Sequence, residues 1–331
     1  MSVEAGIDTW SVCWYLRDES TAVKAMESLA TVPAPRSKLI EESVLGHRVG
    51  WFPGSRLLFA EGHPSSQGLC KADALPGVLE ALSESLADLG VLPPAYKLIP
   101  HAGPQGFNRA LGGSGFGGIR RMDATVDLKF DQPADGLAAL AGVAALPLPR
   151  IKTEVEREVG GSRIETVTLH GSGGRSILGR WYDKGIESGS AGRGLHIRPE
   201  DQRRFAKDAR PPVDVVAQGS FVRDAFVRRF EPLWRAAKGV KVAGPIELAQ
   251  RLGELQDEGR ITAAEAKAIA GHLLLQTAGA QRQSRAQCYK DRAAARRHGL
   301  VLADGVLDHV EVDLGEILEQ VMDAEAWGAQ G

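Results

Sequence analysis

RMDATVDLKF, residues 121–130, decides the fold of this 331-residue chain. Met122, Ala124, Val126, Leu128 and Phe130 alternate with Asp123, Thr125, Asp127 and Lys129, and strict alternation marks a half-buried β-strand. Side chains of a strand point to its two faces in turn, so Asp123 and Asp127 emerge together on the non-core face. GIDTWSVCWYL, residues 6–16, is nearly apolar throughout and rich in β-branched and aromatic residues. That composition predicts a strand central in a sheet.

Working outward, the sequence predicts a helix over about Ser20 to Leu29, then short strands joined by Pro-Gly turns in LGHRVGWFPGSRLLFAEGH, 45–63. Apolar residues at helical spacing predict a helix from Leu75 to Leu89 that stops at Gly90. A further helix is expected in ADGLAALAGVAAL, 134–146. GSRIETVTLH and GRSILGRWYDK, 161–170 and 174–184, read as two strands joined through the glycine-rich His-Gly-Ser-Gly-Gly. Pro199 suits the first position of a helix, which would run through EDQRRFAKDA to the break at Pro211 and Pro212.

Beyond Gly244 and Pro245 the pattern becomes helical: PIELAQRLGELQDEG, then TAAEAKAIAGHLLLQ behind a Thr cap, then SRAQCYKDRAAARRHG ending at Gly299. These readings give an α+β protein, with a boundary near residue 240 between an α+β domain (1–240) and a smaller helical one (241–331).

The net charge is −2, from 40 Lys and Arg against 42 Asp and Glu, but the charges are segregated. Residues 282–297 carry one acid, Asp291, whereas from His298 onward there is no Lys or Arg and there are many acids. A basic helix before an acidic tail points to polyanion contact on one surface; a merely solvated helix face is the competing reading. The latter helix of the pair holds Arg285, Lys290, Arg292, Arg296 and Arg297, as in a helix-turn-helix whose second helix meets DNA. The loop TAGAQRQ, 277–283, is longer than that motif usually has.

Three scattered cysteines, 43% hydrophobic residues and no apolar run near the roughly 20 residues of a membrane span give the expectation of a soluble, reduced, cytoplasmic protein. MSVEAGIDTW carries an acid where a signal peptide needs basic residues. GGSGFGG, 112–118, lacks the Lys-Ser/Thr ending of a phosphate loop and precedes a strand, so it reads as a flexible loop feeding 121–130. The scattered histidines make no zinc pattern. What remains is oxygen chemistry: Asp123, Asp127 and Asp8 converge if their strands are neighbours, and an all-oxygen set favours Mg²⁺ or Mn²⁺. Acids simply solvated on an outward face are the alternative. Tyr182, at a strand end before a polar, glycine-containing loop, is a candidate reactive group or an interfacial aromatic.

The order of GIDTWSV, RMDATVDL, TLHGSGGRSILGRWYDKGIE and LHIRPEDQRRF resembles the replication initiation factors of rolling-circle plasmids, integrative elements and filamentous-type phages. Their pattern runs approximately I-D-W, R-x-D-x-x-x-D, G-S-R-x-S…Y-D-K-x-x-E, R-x-E. RAQCYKDRAAARRHGLVL, 285–302, resembles the Y-x-x-R-x-x-L-x-x-x-G-I segment of phage initiators. Two departures stand out: glycines replace part of G-S-R-x-S, and Pro199 sits inside R-x-E.

The resemblance implies an antiparallel-sheet catalytic domain related to the rolling-circle initiator nuclease fold. It implies a site-specific, metal-dependent endonuclease that nicks one strand of an origin through a covalent phosphotyrosine. Carried over by position, Tyr182 is the nucleophile, Lys184 its basic neighbour, and Asp8, Asp123, Asp127 and Glu200 the ligands of Mg²⁺ or Mn²⁺. The implied partners are origin DNA, double- and single-stranded, and a host helicase. Two other functions fit the residues: a DNA-binding regulator without catalysis, and a metal-dependent nuclease that uses water, with Tyr182 structural.

Overall fold

A computed structural model of the chain describes residues 1–16, 40–51, 57–62, 69–92, 115–146, 148–159, 163–171, 177–188, 192–277, 285–302, 310–323 and 327. The expected helix at 20–29 and residues 278–283 of the loop TAGAQRQ lie outside them. The chain divides into two compact units, one of residues 1–4, 126–201 and 227–326, the other of residues 5–125, 202–226 and 327–331.

The strands β1 (Ser2–Tyr15), β2 (Ile40–Val44), β3 (His47–Trp51), β4 (Leu57–Gly62), β5 (Gly115–Lys129), β6 (Lys152–Arg157), β7 (Ile164–His170), β8 (Ile177–Asp183) and β9 (His196–Arg204) hydrogen-bond in the order β2-β3-β4-β1-β5-β9-β8-β7-β6. The pairs β2–β3, β3–β4, β1–β4, β6–β7, β7–β8 and β8–β9 are antiparallel. β1 is an interior strand, as its apolar content predicts; β5, whose alternation predicts a half-buried strand, is interior too and buried on both faces from Met122 to Leu128, and the fold is α+β.

In the second unit, β2 and β3 turn through Leu45 and Gly46, both with positive φ (52° and 78°). Such a turn matches the right-handed twist of a hairpin; the expected Pro53-Gly54 turn, between β3 and β4, lies outside the described residues. Helix α1 (Leu75–Asp88) buries Leu75, Leu79, Leu82 and Leu86, a single stripe at helical spacing, and ends at Gly90 (φ 71°). Both follow the sequence pattern.

In the first unit, the pairing Val167↔Trp181↔Pro199 and Leu169↔Gly179 assigns these residues, with Ile197 and Asp201, to one sheet face. Helix α2 (Pro133–Ala145) and helix α3 (Ser220–Ala237) cover it: the Trp181 and Phe230 rings meet edge to face at 6.3 Å, and Arg229 Nε bonds Asp201 at 3.1 Å. Gly179 has to be glycine, because a Cβ there would lie 2.5 Å from Phe230. The other face carries Thr166, Thr168, Arg180, Tyr182, His196, Arg198 and Glu200.

The helix expected from Pro199 is instead the body of β9. Polar helix formers such as Glu200 and Gln202 favour a helix locally, but Ile197, Arg198, Glu200 and Asp201 are all buried, and pairing with β8 outweighs propensity. Pro199 stands opposite Trp181 and contributes no N–H to the ladder. KTEVER forms β6, at the edge of the sheet beside β7. The last glycines of 112–118 open β5, so that part is strand rather than loop.

Also in the first unit, α4 (Pro245–Asp257), α5 (Ala263–Thr277) and α6 (Arg285–Arg297) follow as read, with Thr262 Oγ1 accepting from the Glu265 amide at 3.2 Å. β10 (Lys241–Ala243) pairs parallel with β11 (Leu300–Leu302) and antiparallel with β12 (Glu311–Asp313). Within the acidic C-terminal segment, residues 311–322 form β12 and a helix: Asp313 caps α7 (Leu314–Met322) by accepting from the Glu316 amide, and Leu314, Ile317, Leu318 and Val321 are buried. α2 packs against this part, where a Cβ at Gly142 would lie 2.6 Å from Val242 and 3.1 Å from Leu314.

Candidate active site

On the polar face of the first unit, register places Tyr182 opposite Arg198 and Arg180 opposite Glu200. Diagonal neighbours on one face are within reach of long side chains, and the Tyr182 hydroxyl donates to Glu200 Oε2 at 3.2 Å. Lys184 Nζ stands 5.9 Å from the centre of the Tyr182 ring. Tyr182 does not lead into a loop as expected; the short helix Lys184–Ser188 begins directly after β8. The Asp183 carboxylate anchors that transition by accepting from the amides of Gly185 at 3.0 Å and Gly194 at 2.7 Å. Burial raises its pKa above the ordinary carboxylate value against those bonds.

Arg198 bonds Asp127 with two arms, Nε to Oδ1 at 2.6 Å and Nη2 to Oδ2 at 2.9 Å. His196 Nε2 lies 3.0 Å from the same Oδ1, in ion-pair reach but not in good hydrogen-bond alignment. Burial alone would raise the Asp127 carboxyl; the His196 and Arg198 contacts outweigh it and hold the pKa at about 2. A fully hydrogen-bonded charge pair keeps Arg198 fixed one strand from the phenol. The arrangement sets a phenolic oxygen against a carboxylate that accepts its hydrogen bond, with Lys184 and Arg198 beside it.

The other expected ligands fall as follows. Asp8, in β1 of the second unit, is half-buried and accepts from Thr9 Oγ1 at 3.3 Å. Asp123, also in that unit, is 1% exposed and held by Arg121, whose Nε bonds Oδ1 at 2.9 Å and whose Nη2 bonds Oδ2. Arg121 Nη1 also lies 3.6 Å from Glu61. The two strand acids are thus buried and paired, not solvated. Mg²⁺ or Mn²⁺ does not fit this donor set as it stands, because both oxygens of Asp123 and of Asp127 are engaged by guanidinium groups. Among the described residues, no group of three or more His, Cys, Asp or Glu is arranged to hold a metal ion.

His196 and Arg198 were missed by sequence reasoning. The signal was present: in HIRPED, His196, Arg198 and Glu200 alternate with Ile197, Pro199 and Asp201, a strand period concealed by the proline.

On α6, Lys290 is exposed, Arg296 is half-buried and Arg297, 70% exposed, lies 3.3 Å from Glu265 of α5. The side chains of Arg285, Arg292 and Tyr289 lie outside the described residues. Asp291 faces inward and accepts from Gln287 at 2.7 Å. No helix among the described residues is long and apolar enough to cross a membrane.

Fold and site together define an α+β protein whose antiparallel sheet presents a tyrosine, a carboxylate and a buried Arg–Asp pair on one polar face. No protein-family model matches the chain, and no curated protein matches it. Among solved structures, it resembles a rolling circle replication initiator protein from Geobacillus stearothermophilus, with a TM-score of 0.34 and 12% identity over 69% of this chain and 85% of that one.

Proposed function

We propose that the chain is a rolling-circle replication initiator that nicks one DNA strand through Tyr182. The observation that carries this reading is the Tyr182–Glu200 hydrogen bond on a buried, charged sheet face, supported by the motif order in the sequence. A free phenol has a pKa near 10, so attack at neutral pH needs a base in contact with it. Glu200 accepts the phenolic proton as the Tyr182 oxygen attacks phosphorus. A phosphotyrosine bond forms, the bond from phosphorus to one sugar oxygen breaks, and that oxygen takes a proton from water. Lys184 and Arg198 oppose the negative charge that develops. The covalent link retains the bond energy for rejoining.

In this reading residues 1–240 perform the chemistry. Residues 241–331 select duplex DNA through α6, with Arg285, Lys290, Arg292, Arg296 and Arg297 on phosphates and base edges.

The test is covalent capture. Labelled single-stranded oligonucleotides tiling the replicon that encodes the chain are incubated with the protein and resolved under denaturing conditions. An adduct that disappears in Tyr182→Phe supports the proposal. Cleavage without an adduct supports water as nucleophile, and binding without cleavage supports a regulator; either overturns it.

A further inference from the structure

The second unit holds a cavity of about 370 Å³ whose lining includes Arg48, Arg120, Arg121, Arg204 and Arg210. Glu61 is the one carboxylate among the described lining residues. Arginine cannot shed its proton in a protein, so such a cluster cannot neutralise itself as buried lysines do. Like charges at close quarters oppose folding unless an anion resides among them.

Part of this charge is met internally. Glu61 stands opposite Arg48 in the β3–β4 register and is 3.6 Å from Arg121, which Asp123 also holds. Arg210 Nη1 reaches Tyr15 Oη at 3.3 Å, the Gly117 carbonyl at 3.0 Å and Cys13 Sγ at 2.9 Å. Burial pushes the Cys13 thiol up to about 11 in spite of Arg210, Arg120 and Lys207, so the sulfur supplies no charge at neutral pH. Among the described lining residues, five are arginines and one, Glu61, is a carboxylate; Asp123 beside them holds Arg121.

The cavity is not merely basic. The guanidinium carbons of Arg48 and Arg120 each lie 5.9 Å from the centre of the Phe59 ring, within cation–π reach. Phe205 joins the lining and is tied to β5 by its amide, which donates to the Arg120 carbonyl at 2.8 Å. Guanidinium forks suit phosphate oxygens, while guanidinium planes and aromatic rings suit the flat faces of bases. We propose that this cavity is a binding site for a phosphate-bearing nucleotide, either free or as one residue of a single-stranded DNA chain. It stands apart from the chemistry assigned to Tyr182.

The experiment measures equilibrium binding of a fluorescein-labelled twelve-residue thymidine oligonucleotide to the full chain by anisotropy across a salt titration. Thymidine monophosphate and inorganic phosphate serve as competitors. Wild type and Arg120→Gln/Arg204→Gln are compared; Arg204→Gln alone, at an exposed position, guards against misfolding of the double variant. The expected result is weaker binding in both variants, with the salt slope falling by roughly 0.7 for each lost phosphate contact. Competition by millimolar thymidine monophosphate assigns the site to free nucleotides; its failure with the oligonucleotide still bound assigns it to strands. If the Arg204→Gln affinity and slope equal those of wild type, or if neither nucleotide probe binds, the proposal is overturned. No cleavage enters the readout, so a failure of Tyr182 chemistry leaves the outcome unaffected.

Discussion

Arg198 closes both oxygens of Asp127 in a two-armed bond, Nε on Oδ1 at 2.6 Å and Nη2 on Oδ2 at 2.9 Å, with each side chain about 6% exposed. Removing one member of a buried pair strands the other charge, which is costlier than the pair is stabilising. Asp127→Ala is therefore expected to lower unfolding stability by about 3–5 kcal/mol in urea. A loss below about 1 kcal/mol would show a solvated pair instead.

The same pair sets an acid limit. The folded-state pKa of Asp127, about 2, lies below its ordinary value of 3.8. The stability it contributes is then fully present above pH 4 and is lost as pH falls toward 2, worth about 2 kcal/mol in all. Unfolding free energies measured from pH 6 to pH 2 should fall below pH 4 in wild type. That part of the fall should vanish in an Asp127→Asn/Arg198→Met variant.

Glu200→Gln keeps the shape of the side chain but removes its capacity to accept a proton at neutral pH. Single-turnover adduct formation is expected to slow by about 10²–10⁴, with the protein still folded. An unchanged rate would remove Glu200 from the chemistry.

Tyr182→Phe deletes one oxygen and the hydrogen bond to Glu200, a change of about 1.5–3 kcal/mol at most for a charged acceptor. The variant should fold, bind DNA and form no adduct. An adduct that persists here and is lost in Tyr289→Phe moves the nucleophile to α6.

Replacing Arg292, Arg296 and Arg297 together by Ala should weaken duplex binding and reduce the logarithmic salt slope by up to roughly 0.9 per contact. The exposed Arg297–Glu265 pair contributes little to stability, so the melting temperature should change by only a few degrees. Duplex affinity unaltered across the titration would return this helix to solvent.

The strands with clear periods were legible. RMDATVDLKF and GIDTWSVCWYL give β5 and β1, and the leucine stripe of 75–86 gives α1, because one dominant pattern repeats without interruption. β9 was not legible as a strand, because a proline between His-Ile-Arg and Glu-Asp imitates a helix start and only pairing with β8 reveals its face. Of the site, Tyr182 and Glu200 were nameable from motif order. That Asp123 and Asp127 are consumed by Arg121 and Arg198 was not, since a strand acid reads alike whether its neighbour across the sheet is water, a cation or a guanidinium.

The fit of α2 against Val242 and Leu314 bears on how the protein can be dissected. Every residue of α2 from Ala138 to Val143 is buried, and Gly142 admits no side chain on the surface it shares with the C-terminal residues. A fragment cut at residue 240 would bare that surface to water and is expected to aggregate on expression. Exchange of the C-terminal region between two such proteins should succeed only when α2 travels with it, so the unit of recombination is larger than the C-terminal region alone.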